Sequence, residues 1–220
     1  MLFKVLFMSE QNQTQSLDTL QDIKRMMEKS SRFISLSGWS GIAAGICALA
    51  GAWFTSQKIE CWKTGYCDFL AYPAVDKIMM VELVKIAAIT FLTALLSAFF
   101  FTWLRSQKTG VPVWGYTARK VIVNVAVPMI AGGLLVLRMM HFGIYGLIAP
   151  TCLLFYGLAL INASKYTLPE IRYLGYCQLV LGFVNLWMIG YGLYFWAAGF
   201  GLLHIIYGFL MWWKYERAGN

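Results

Sequence analysis

Charge is scarce in this sequence. Asp, Glu, Lys and Arg make up 13% of its 220 residues, and 60% are apolar. A soluble domain carries about 25% charged residues, so this chain lacks the polar surface of a soluble globule and that class is excluded. Runs of alternating polar and apolar residues are also lacking, which excludes a membrane β-barrel. There is no Walker loop, no glycine fingerprint for a dinucleotide and no His-Glu-x-x-His. No serine or cysteine has an obvious base partner. The long apolar runs hold one acid, and the whole chain has two histidines. An enzyme is therefore poorly supported, and neither a cofactor nor a metal is expected. The net charge of +8 does not point to nucleic acid, because the basic residues sit in small groups at the ends of apolar runs, where they orient membrane helices.

What the chain has in abundance is apolar runs of about 20 residues, the length that crosses a ~30 Å hydrocarbon core as helix. The fold class expected is all-α: a polytopic membrane helix bundle of six transmembrane helices after an N-terminal amphipathic helix. The predicted spans are 33–54, 78–103, 120–137, 142–161, 173–195 and 197–213, within a domain of 33–217. In the preceding tail, 1–32, Ser16 is a plausible N-cap. After it Leu17, Leu20, Ile23 and Met27 recur at spacings of three and four among Asp18, Asp22, Lys24, Arg25, Glu28, Lys29 and Arg32. That pattern predicts a helix lying on the bilayer surface, available to a cytoplasmic protein partner. Ser37, Gly41 and Gly45 give the first span a face of small residues. Such a face serves as a packing seam inside the bundle or as a homodimer contact.

Lysine and arginine set the threading. With both termini cytoplasmic, thirteen of the eighteen fall on the inner side and Lys58, Lys63, Lys77 and Arg138 on the outer, as the positive-inside rule favours. This places the loop holding Cys61 and Cys67 outside, where the two form a disulfide or remain free thiols. Sliding the chain by 49 residues aligns 120–166 with 169–215 with 11 of 47 positions identical, as in a duplicated helical hairpin. Pro128 and Pro150 fall inside spans and predict kinks.

Few polar residues are left to carry function. Glu82 and Lys85 share one side of the second span, near its outer end. Arg138 and His141 close the third span at the same face, so the four are expected to form a polar layer, with Glu82 paired to Lys85 or to Arg138. Deeper in, Asn185 and His204 fall at similar depth on adjacent spans, and a hydrogen bond between them would satisfy both. Gln178 is expected to face another helix.

Two stretches, 31–38 (SRFISLSG) and 156–175 (YGLALINASKYTLPEIRYLG), carry a resemblance. The chain resembles a group of uncharacterised bacterial six-helix inner-membrane proteins, over most of its length from about Ile23. The resemblance implies a bacterial inner membrane and brings no activity with it. More weakly, the glycine-spaced hairpins are similar to small acid-resistance membrane proteins built from repeated helical pairs, with no functional residue carried over. Two functions are consistent with these residues. The first is a non-enzymatic accessory or regulatory membrane subunit. The second is a small solute or proton-coupled transporter using Glu82, Arg138 and His204.

Overall fold

The computed structural model describes residues 37–59, 77–109 and 114–217. The amphipathic helix expected before residue 33 and the loop with Cys61 and Cys67 lie outside the described residues. Within them the chain is helical, without a strand. The helices are α1 (Gly38–Lys58), α2 (Lys77–Thr109), α3 (Tyr116–His141), α4 (Ile148–Ala163), α5 (Glu170–Trp187) and α6 (Gly192–Tyr215). A 3-10 turn, Tyr145–Leu147, leads into α4. Five of these segments, all but α5, are long and apolar enough to cross a membrane. Helix is the only spanning form open to such segments unless a barrel closes, because lipid offers the backbone no hydrogen-bond partner.

The helices run back and forth, so that α1 begins where α2 and α6 end. On that same end α5 starts beside the last turn of α6 through Glu170 and Lys214, and Lys120 of α3 lies over the ring of Tyr166. In the packing order α1 lies between α2 and α6, and α4 lies between α3 and α5. Helix α2 packs on α1, where Thr90 fills the space over Gly51. Its other faces expose Phe91, Leu95, Phe99 and Trp103, the surface expected of a lipid-facing helix.

Close backbone approach helps join α1 to α6. A Cβ on Gly45 would stand 2.7 Å from Gly201 O, and one on Gly41 would stand 3.1 Å from Gly208 Cα. The small-residue face of α1 is thus a seam within the chain, carried by Gly38, Gly41 and Gly45. Its partners are Gly201 and Gly208, which the sequence hid inside an ordinary apolar run. The same device recurs between α4 and α5, where a Cβ on Gly157 would stand 2.9 Å from Gly175 O.

Three expectations need correction. The turn between the fifth and sixth spans is not at 195–197. It lies between Trp187 and Gly192, where Gly190 adopts φ +106°. The residues that make it, Met188, Ile189 and Tyr191, are as apolar as a helix interior, so hydropathy runs across the break. Pro150 does not kink a span, because it occupies the first turn of α4, where its missing N–H costs nothing. The two hairpins also turn at unmatched positions: Gly143, with φ +73°, aligns with Gly192 and not with Gly190.

Candidate functional site

Near its middle α6 contains a π-helical turn, Ala197–Leu202. Wider turns of this kind loosen the backbone ladder and frequently occur at functional sites. Here the carbonyl of Gly199 turns to side chains. It accepts from Gln178 Nε2 of α5 at 2.8 Å and from His204 Nδ1 at 2.9 Å. A carbonyl oxygen only accepts, so Nδ1 carries a hydrogen. In the neutral ring Nε2 is then the acceptor, and the Tyr156 hydroxyl of α4 donates to it at 2.7 Å. Phe200 stacks on the imidazole and packs on the Tyr156 ring. Three helices thus meet at one polar node, and Gly199 is what allows it. A Cβ there would stand 2.6 Å from Gln178 Oε1 and closer still to Leu153 Cδ2.

Gln178 and Asn185 are completely buried, yet the amide oxygen of each lacks a hydrogen-bond partner among the described residues. An unpaired buried acceptor costs about 1–3 kcal/mol, so Gln178 has a cost that packing does not explain. Gln178→Met keeps the volume and removes the stranded oxygen, while Gly199 O retains His204 as its donor. The variant is expected to melt at or above the temperature of the parent in detergent micelles. A clear loss would show that the amide contributes net stability.

A second polar cluster lies at the end of the bundle where α1 starts. Glu216 Oε1 accepts from the Gly38 backbone N–H at 2.6 Å, from the Ser37 hydroxyl at 3.1 Å and from the Arg105 guanidinium of α2. Beside it Glu170 Oε1, at the start of α5, accepts from Lys214 and from the Tyr215 hydroxyl at 2.7 Å. These two carboxylates fasten four helix ends, those of α1, α2, α5 and α6.

The residues singled out by sequence are distributed differently from expectation. Glu82 pairs with Lys85 in its own helix at 2.9 Å, and both side chains are substantially exposed. Arg138 instead lies 4.1 Å from the centroid of the Phe142 ring, which His141 also meets edge-on. The polar layer therefore divides into two pieces, one on α2 and one at the end of α3. Asn185 and His204 do not bond to one another. Asn185 Nδ2 donates to Met188 O at 3.2 Å. The displaced turn accounts for this. Asn185 lies only about 3 Å from the end of α5, while His204 is about 18 Å into α6 at 1.5 Å per residue. Sequence reasoning missed Tyr156, Arg105, Glu170 and Glu216. Tyr156 had one available signal, a tyrosine at mid-span instead of at a span end.

Comparison with known protein-family models, with curated proteins and with solved structures finds no match for this chain.

Proposed function

We propose that the protein is a non-enzymatic accessory or regulatory subunit of a bacterial inner membrane, with six spans, α5 included, and both termini cytoplasmic. One observation carries this reading. The three carboxylates among the described side chains, Glu82, Glu170 and Glu216, are each engaged in an ion pair, and the latter two tie helix ends together. The polar chemistry of the bundle is largely spent on holding its shape. The element left for a partner is the charged, amphipathic tail of 1–32 at the cytoplasmic face. Affinity purification from native membranes tests this. A partner that accompanies the full chain is expected to be lost from a chain lacking residues 1–30 that still inserts, and retention of that partner sinks the reading.

The second reading is a small solute or proton-coupled carrier. The observation favouring it is the Tyr156–His204 hydrogen bond in the middle of the bundle, beside the stranded oxygen of Gln178. In proteoliposomes loaded with a pH-sensitive dye, alanine at Glu82, Arg138 and His204 together is expected to abolish proton flux. Undiminished flux in the triple variant would end that reading.

A further inference from the structure

We propose that His204 is a proton-binding site in the middle of the bundle, loaded from the Glu170 end through Tyr207 and Tyr156. The proposal rests on the carrier reading for His204 alone and stands without Glu82 and Arg138.

Geometry suits both states of the ring. Neutral, His204 donates through Nδ1 to Gly199 O and accepts at Nε2 from Tyr156. Charged, it keeps the first bond and donates through Nε2 to the same tyrosine oxygen, whose hydroxyl turns away. Both N–H groups of the imidazolium therefore have acceptors, which meets the hydrogen-bonding part of what a buried charge requires. The groups around it are neutral. They are the Tyr156 hydroxyl from α4, the Gln178 amide from α5 across the shared carbonyl, the Phe200 ring from α6 and the glycine backbone of α1. No charged side chain among the described residues acts on it.

The path to the bundle end is marked by stranded atoms. Tyr207 follows His204 by three residues, one turn nearer to that end. Its hydroxyl is buried without a hydrogen-bond partner among the described residues. That hydroxyl feels the charges of Glu170, Tyr215 and Tyr156, and along α6 Tyr207 stands between His204 and Tyr215. Glu170 Oε2 is likewise buried and unpaired, while Oε1 holds Lys214 and Tyr215. Two unsatisfied groups thus lie between the bonded pair Tyr156–His204 and the bonded triad at Glu170. Tyr207 makes no hydrogen bond to either neighbour, so transfer takes a rotation of the hydroxyl or a bridging water.

The proton count closes. The O–H bond of Tyr156 breaks as N–H forms at Nε2, Tyr156 regains a proton from Tyr207, Tyr207 from the Glu170 carboxyl, and Glu170 from water. One proton leaves the aqueous phase and each tyrosine ends as it began. Beyond Gln178 the line stops. The face of α5 between Gln178 and Asn185 is filled by Leu154 packing on Gly182. Among the described residues the arrangement is a site with one entrance.

The test is imidazole NMR on the full chain in lipid nanodiscs, labelled with 15N-histidine. The chain has two histidines, so H141Q leaves one signal. His204 is expected to pass reversibly from the neutral Nδ1–H tautomer to imidazolium as the pH is lowered through the range in which the protein stays folded. Tyr207→Phe, which keeps the ring, is expected to slow proton exchange at His204 about a hundredfold. Glu170→Gln, which keeps an acceptor for Tyr215, is expected to slow it as well. A His204 that stays neutral throughout in folded protein overturns the site, and wild-type exchange in both variants overturns the path. Proton flux across vesicles is read separately. A titrating His204 without flux keeps the site and removes the carrier, and flux without titration does the reverse.

Discussion

Glu216→Ala is expected to destabilise the protein by about 3 kcal/mol, the low end of the cost of stripping one partner from a buried ion pair. The side chains of Arg105 and Glu216 are only 11% and 19% exposed, so solvent does little to replace the lost carboxylate. The damage goes beyond the pair. The first N–H groups of a helix have no partner within it, and the positive end of the helix dipole favours an anion there. Ser37 stands at the N-cap of α1 but makes no capping bond of its own. Its hydroxyl and the Gly38 N–H both go to Glu216. Glu216 therefore caps α1 from the far end of the chain and holds α2 with the same oxygen. Glu216→Gln keeps a neutral acceptor and is expected to lose about half as much, since bonds to charged groups are roughly twice as strong. Thermal unfolding in detergent micelles measures both. Trp39 packs against Trp212 and Phe101 next to the clamp, so tryptophan fluorescence reports its opening. An alanine variant that melts with the parent would show that the clamp does not hold these three helices.

The class of fold was legible in the sequence because burial of backbone in lipid leaves so few options. Apolar length located the helices at 38–58, 77–109 and 116–141, with ends displaced by one to six residues, where polar connectors such as 104–119 interrupt the runs. It failed at 188–191. There the turn is built from residues that are themselves apolar, and a single glycine with φ +106° reverses the chain. That error separated two side chains expected at similar depth by about three helical turns, and the expected Asn185–His204 contact went with it. The importance of His204 was legible, since histidine in an apolar run demands a partner. Its partners were not. One is a backbone carbonyl presented by a π-helical turn, which no residue type announces, and the other is a tyrosine that reads as filler. The acids at 170 and 216 were not singled out, since one lies in the connector before the fifth span and the other just after the sixth. Their role depends on which helix ends meet, and that is settled by the glycine seam.

That seam sets the last large effect. Gly208→Ala places a methyl 2.6 Å from Gly38 O and from Ile42 N. Both atoms belong to the backbone of α1, so neither can swing aside, and the helix as a whole must retreat. Overpacking of this kind costs about 1–3 kcal/mol, and more where backbone has to move, so about 3 kcal/mol is expected for Gly208→Ala. Gly133 supplies the contrast. It lies in the middle of α3, and a Cβ there would meet nothing within 4 Å. Gly133→Ala is therefore expected to stabilise the protein by up to about 1 kcal/mol through helix propensity alone. If both variants shifted the melting point alike, close approach of α1 to α6 would not be what the glycines serve. The seam and the clamp are also coupled, because Gly38 belongs to both: its carbonyl abuts Gly208 and its N–H is capped by Glu216. Once α1 has retreated from Gly208→Ala the cap is already displaced. Adding Glu216→Ala should then cost less than it does alone, with a coupling of about 0.5–3 kcal/mol between the two sites.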